Sequence, residues 1–293
     1  MNSRSKAELG LVAVTIIWGT TFVLVKYALQ DVSPVVFLAL RFSIAALLLG
    51  AIFGKAVRRP AILPGIGAGC LLFLAYVFQT KGLELTSASK SAFITGLSIP
   101  LVPFFNSFVY RIRPRLIEVA GILIASAGMA LMTLPATGFG MSRGDFLSFL
   151  CAVTFALHIV VISHYSRALG FQTIAVTQIA AAALLSVVLF RFVEPFRFHP
   201  TAGVAGAVLV TAVLATALAF TVMAWSQQYT TATRSAIIFT LEPVVAWFTS
   251  WAIAGETMPL RGKLGAVTIL AGVLLVELTG SSETRSPDQA SQK

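Results

Sequence analysis

Polar and charged residues along the chain gather in short clusters that separate ten long apolar runs: 9–29, 34–53, 62–83, 89–110, 116–134, 146–165, 171–192, 202–225, 235–254 and 263–279. Each run approaches or exceeds the roughly 20 residues a helix needs to cross the hydrocarbon of a bilayer. The connections Gln30–Ser33, Gly54–Ala61, Arg111–Arg115, Pro135–Asp145 and Glu194–Pro200 are rich in turn-forming and charged residues. Lipid offers no partner to an unpaired amide or carbonyl, so a spanning segment is either a helix or part of a closed barrel. Barrel strands would read as alternating segments of about ten residues, whereas these runs are about twice that length and solidly apolar. The pattern therefore predicts an all-α polytopic membrane protein with ten transmembrane helices. The polar tail 281–293 is predicted to be disordered.

Composition agrees. The 293 residues are 57% hydrophobic and only 11% charged, with a mean hydropathy of +0.90. Soluble domains carry about a quarter charged residues, so a water-soluble enzyme is excluded as the first reading. A net charge of +10 would suggest nucleic acid in a soluble chain, but here the basic residues lie singly or in threes between apolar runs, as in loops held at a membrane surface. Cys70 and Cys151 both fall inside apolar runs, without a CxxC or a Cys/His cluster, so neither a disulfide framework nor a zinc site is supported. The first run is longer than a signal-peptide core and lacks a clear small-residue cleavage pattern, so it reads as a retained helix.

Basic residues also set the expected orientation. With the N-terminus inside, Arg4, Lys6, Lys55, Arg58, Arg59, Arg111, Arg113 and Arg115 fall in the cytoplasm, and Lys26, Lys81 and Lys90 outside. The second half leans weakly the other way. Arg167, Arg234, Arg285 and Lys293 fall inside, against Arg143, Arg191, Arg197, Arg261 and Lys263 outside. Because early helices usually dominate, both termini are predicted to be cytoplasmic.

The two halves repeat. Leu85-Thr86-Ser87-Ala88-Ser89-Lys90-Ser91-Ala92 recurs 144 positions later as Tyr229-Thr230-Thr231-Ala232-Thr233-Arg234-Ser235-Ala236. A mid-helix proline follows in each, Pro100 and Pro243, and then Gly121 and Gly128 are matched by Gly265 and Gly272. Earlier, Trp18 to Phe22 aligns loosely with Phe155 to Ile159, and Arg41 falls opposite Gln178 at an offset of 137, as one loop indel would give. Residues 9–134 and 146–279 thus form two units of five helices. An odd number inverts the second copy, an arrangement of secondary transporters whose substrate site lies near the midplane between the copies.

Ile17-Trp18-Gly19-Thr20-Thr21-Phe22, Leu40-Arg41-Phe42, and Leu241-Glu242-Pro243-Val244-Val245-Ala246 followed by Gly255-Glu256 resemble the EamA-type transporters of the drug/metabolite transporter superfamily. The resemblance covers 9–279 and implies a 5+5 inverted-repeat fold in the bacterial inner membrane, usually exporting amino acids or similar metabolites. The first half departs from it. Its counterpart of Leu-Glu-Pro is Leu97-Ser98-Ile99-Pro100, without the carboxylate.

Charges stranded within spans are costly, at least ~2.5–3.5 kcal/mol at the bilayer centre. Of the 32 charged residues, Arg41 and Glu242 are the two most clearly placed there. Glu242 sits beside Pro243, which removes an amide and frees a carbonyl one turn back, so the backbone near Phe239 is expected to open. A carboxylate at such a break can hold a substrate ammonium, carry a proton, or pair with an arginine. Arg41 either neutralises a substrate carboxylate or pairs with Glu242 or loop carbonyls; the structural role is favoured, because its repeat mate Gln178, also read as structural, keeps hydrogen-bonding capacity but loses the charge. His158, deep in the sixth run, is either a satisfied hydrogen-bonding group or a proton or substrate site.

Trp18, Thr21, Phe22, Tyr76, Gln79, Thr95, Ser98, Phe239 and Trp247 complete the candidate lining, which suits a small molecule with an apolar body and a few polar groups. Pro100 and Pro243 are candidate hinges. Gly65, Gly69, Gly121, Ala125 and Gly265 are expected at close helix contacts. No GxxxxGK[ST], HExxH or GxSxG occurs, which argues against ATP hydrolysis by a phosphate loop and weakens an intramembrane hydrolase. The leading expectation is a secondary transporter exporting amino acids or related small metabolites by alternating access. It needs no cofactor or metal, binds no nucleic acid, and is compatible with a monomer in the lipid. An importer, a carrier of another solute such as a polyamine or drug, and a non-transporting enzyme or scaffold are the alternatives.

Overall fold

The computed structural model describes residues 3–86, 91, 94–133, 142–254 and 260–280. The tail 281–293, Lys90, Gly255-Glu256 and most of the Pro135–Asp145 connection lie outside the described residues. What is described is helical, apart from an isolated antiparallel bridge between Val32 and Phe198. The helices are α1 Ser3–Ala28, α2 Pro34–Phe53, α3 Ile62–Leu85, α4 Ser98–Tyr110, α5 Leu116–Thr133, α6 Arg143–Leu169, α7 Phe171–Val193, α8 Ala202–Ser226, α9 Ala232–Phe239, α10 Glu242–Ala254 and α11 Leu260–Gly280. Among the described residues, α1, α2, α3, α6, α7 and α8 are long and apolar enough to cross a membrane, and the segments Ile94–Tyr110 and Leu116–Leu131 are shorter apolar helices. Large apolar side chains point outward, Leu47 at 75% exposure and Phe108 at 80%. Water would penalise such a surface, whereas lipid tails do not.

Several ends run past the apolar runs. α1 begins at Ser3 because its polar first turns are held by an Arg4–Glu8 pair four residues apart, at 2.7 Å. α6 begins at Arg143 because Ser142 and Asp145 cap it reciprocally, each accepting from the other's backbone amide.

The ninth run is two helices rather than one. α9 ends at Phe239, and the amides of Thr240 and Leu241 turn back to the carbonyls of Ile237 and Ile238 before α10 starts at Glu242. The fourth run breaks in the same way at Leu97, whose amide bonds Ile94 O. The prolines expected in mid-helix therefore sit in the first turn of the second piece: Pro100 in α4, Pro243 in α10. There the missing amide would have no helical partner anyway.

α8 carries a π-helical turn, Val213–Leu218, in the middle of its span. α5 and α11 pack through glycines. A methyl group on Gly121 would lie 2.9 Å from Gly272 O and one on Gly272 would lie 2.7 Å from Gly121 O, while one on Gly128 would lie 2.7 Å from Gly265 O. Only glycine permits these backbones to approach so closely. Gly65 and Gly69 serve the contact of α3 with Thr177, Gln178 and Ala181 of α7.

Two faces can be told apart. At the face where α1 begins, Arg234 of α9 is buried at 4% exposure, 3.6 Å from Glu8 and 3.7 Å from Glu118, and the Arg167 guanidinium donates to Gln227 O and Thr230 O. Arg234 and Glu118 thus join Arg41 and Glu242 as charges removed from water, which the sequence reading had not anticipated. At the opposite face, Lys26 donates to the last carbonyls of α3, Arg197 donates to Leu29 O, and Thr86 donates to Asp145. Asp145 is itself buried at 1% exposure.

Candidate functional site

A cavity lies between these faces, lined by α1, α2, α3, α4, α5, α6, α8, α9 and α10. It occupies the half of the molecule away from Arg234. The α1 contributors run from Trp18 to Val25, and those of α3 from Tyr76 to Leu83, the last ten residues of that helix. Trp18, Thr21, Phe22, Tyr76, Gln79, Thr95, Ser98, His158, Phe239 and Glu242, all named from the sequence, share its wall, together with Arg41 and Pro243. Trp247 does not line it. That ring packs against Phe248 at 5.1 Å and Trp251 at 6.4 Å, in a cluster of which Phe248 and Trp251 face outward. Gln178 and Pro100 are also absent from the lining.

The wall is held in place by the π-turn of α8. One extra residue per turn shifts the hydrogen-bond register, so Thr216 Oγ1 bonds Thr211 O five residues back. Ala215 O accepts from Trp18 Nε1 at 2.9 Å and from the Arg41 guanidinium at 3.2 Å. Arg41 also donates to Thr216 Oγ1 at 2.6 Å and to the Tyr76 hydroxyl at 3.0 Å. Its guanidinium carbon lies 4.4 Å from the centre of the Tyr76 ring. Arg41 therefore pairs with neither Glu242 nor a loop: its carbonyl partner belongs to the π-turn. Gln178 Oε1 accepts from His158 Nε2 at 2.8 Å, so the residue that the sequence sets opposite Arg41 orients the histidine of the wall. His158 Nδ1 has no hydrogen-bond partner among the described residues.

Aromatic rings form an arc around the space. Phe239 meets Trp18 at 5.2 Å, Trp18 meets Phe220 at 5.3 Å, Phe220 meets Tyr76 at 6.2 Å and Tyr76 meets Phe155 at 5.3 Å. Glu242 faces the same space, half-buried in the first turn of α10. α1 comes close to it because residue 19 is glycine: a methyl group there would lie 3.0 Å from Glu242 O and 2.8 Å from Val245 Cβ. The Glu242 carboxylate makes no hydrogen bond or ion pair with any described residue.

Sequence reasoning missed Met129, Phe155, Phe220 and Met223 of the wall, and Thr216, on which Arg41 rests. The spacing of Thr211 and Thr216 was the available signal for the π-turn. The others sit in runs apolar on all sides, where nothing distinguishes the side facing a cavity from the side facing lipid.

Comparison with known proteins identifies the class. The model of the EamA-like transporter family matches twice, over residues 5–134 and 142–278. An uncharacterized transporter of Archaeoglobus fulgidus is 35% identical over 276 residues, covering 94% of this chain and 87% of its own. The uncharacterized transporter YoaV of Bacillus subtilis is 24% identical over 94% of this chain and 98% of its own. The uncharacterized inner membrane transporter YedA of Escherichia coli K12 is 23% identical over 92% and 89%. A crystal structure 21% identical superposes with a TM-score of 0.79, covering 95% of this chain and 98% of that one, and so shares the fold. The chain is a multi-pass membrane protein and belongs to the EamA-like transporter family.

Proposed function

We propose that the chain is a secondary transporter that exports amino acids or related small metabolites across the bacterial inner membrane by alternating access. Its substrate site is the cavity between α1, α3, α6 and α10. The observation that carries this reading is the convergence of ten residues named from the sequence on one aromatic-lined cavity, with a carboxylate in its wall that no described residue hydrogen-bonds or pairs with.

Ten spans in two inverted five-helix units, 9–134 and 146–279, belong to the same reading. The two family matches start 137 residues apart and end 144 apart, the same offsets that relate the motifs. The fourth and ninth spans break in the same register, at Leu97 and Leu241. The α5–α11 contact is reciprocal: Gly121 faces Gly272 and Gly128 faces Gly265, and since Gly265 is the repeat mate of Gly121 and Gly272 that of Gly128, the repeat exchanges one contact for the other. Such self-complementary pairing is what a two-fold axis produces. The face where α1 begins is the cytoplasmic one, since Lys55, Arg58, Arg59, Arg111, Arg113 and Arg115 are exposed in loops on that side. With the cavity in the other half, Arg234, Glu8 and Glu118 close the cytoplasmic end, and the breaks before Pro100 and Pro243 are where the units flex.

Counterflow in proteoliposomes tests the reading, with a panel of radiolabelled amino acids at two pH values and empty vesicles as the control. Saturable uptake of at least one compound is expected; none for any compound overturns it. Direction follows from growth on toxic analogues: an exporter protects the cells, and sensitisation would reveal an importer.

A further inference from the structure

We propose that the cavity selects its ligand through a cation subsite at Glu242, so that the group a ligand must carry is an ammonium on an apolar body, while a carboxylate is dispensable. This rests on the reading of the cavity as the transport site and goes beyond it by ranking the two ends of an amino acid.

The ranking follows from how the two charges of the lining are spent. Arg41 is 4% exposed, and three of its five N–H donors, on Nε and Nη2, go to Thr216 Oγ1, Tyr76 OH and Ala215 O, with the guanidinium over the Tyr76 ring. A carboxylate arriving there meets a charge already shared with the protein through two of its three nitrogens. Glu242 faces the same space and its carboxylate has no hydrogen-bond or ion-pair partner among the described residues. The remaining wall adds the same preference. The linked rings of Phe239, Trp18, Phe220 and Phe155 line the same space, and aromatic walls favour cations over anions. An ammonium thus gains a carboxylate partner and an aromatic surround, whereas a bare carboxylate meets an arginine already engaged on two of its three nitrogens and a like charge. Trp18 is anchored beside this point, because its neighbour Gly19 packs directly on Glu242 and its indole N–H is fixed to Ala215 O.

The experiment is equilibrium binding to the full chain in lipid nanodiscs, with tritiated phenethylamine as the probe and L-phenylalanine and 3-phenylpropanoate as competitors. Saturable binding of phenethylamine is expected, with L-phenylalanine competing within about tenfold of it and 3-phenylpropanoate weaker by about tenfold or more. Glu242→Gln should weaken phenethylamine by about tenfold or more, equivalent to at least ~1.4 kcal/mol. Glu242→Asp, which keeps the charge, should lose less, and unchanged thermal unfolding of both variants excludes misfolding. Absence of phenethylamine binding to the wild type, 3-phenylpropanoate competing as well as the amine, or unchanged binding in Glu242→Gln would each overturn the subsite. Amino-acid counterflow that survives in Glu242→Gln also overturns it while leaving transport intact. Amine binding lost in Glu242→Gln without any counterflow supports the subsite and sinks the transport reading instead.

Discussion

The consecutive helices α9 and α10 carry two charges eight residues apart, and they are treated in opposite ways. Arg234 in α9 is buried between Glu8 of α1 and Glu118 of α5, so its charge fastens the starts of three helices at one face. Glu242 in α10 faces the cavity, and its carboxylate has no hydrogen-bond or ion-pair partner among the described residues. Both residues pay to leave water. The first recovers that cost inside the protein, and the second leaves it to a ligand. A charge committed to other side chains serves stability; one left uncommitted in a cavity serves recognition.

Variants can break this contrast in order of expected size. Arg234→Ala leaves the buried Glu118 carboxylate without the Arg234 cation, Glu8 keeping Arg4, and should destabilise the protein by about 3–5 kcal/mol. Thermal unfolding in detergent or nanodiscs would report it, and a loss below about 1 kcal/mol would mean that the cluster does not fasten these helices. Thr216→Val removes the acceptor for Arg41 and the donor to Thr211 O, leaving buried polar atoms unsatisfied. It should cost about 1–3 kcal/mol, and Thr216→Ser should restore most of it. Glu242→Gln should change unfolding by under about 0.5 kcal/mol, since no protein contact is lost. A destabilisation as large as that of Arg234→Ala would show that Glu242 is structural after all and erase the contrast.

The sequence revealed most of this wherever physics penalises the alternative. A charge in an apolar run has few tolerable places, so Arg41 and Glu242 could be named, as could His158 and the glycines of the α5–α11 contact. Facing could not be read, because helices apolar all round carry no stripe to mark the cavity side. Phe155, Phe220 and Met129 were missed for that reason, and Trp247 was included though it sits in an outward-facing aromatic cluster. Arg234 was read only for the side of the membrane it marks, since counting basic residues by side records position and not depth. The π-turn had no Pro or Gly to announce it in Val-Leu-Ala-Thr-Ala-Leu. Its trace was a pair of threonines five apart, at 211 and 216, which becomes meaningful only once Arg41 is seen to rest on the second.

The central claim is that solute crosses through this cavity, and it is tested most directly by counterflow in one proteoliposome series comparing the wild type, Glu242→Gln, and Glu242→Gln combined with His158→Ala. The account predicts saturable flux of a labelled amino acid in the wild type, a loss of about tenfold or more in Glu242→Gln, and no recovery in the double variant. Wild-type flux in the double variant, with both proteins folded and equally incorporated, would contradict it.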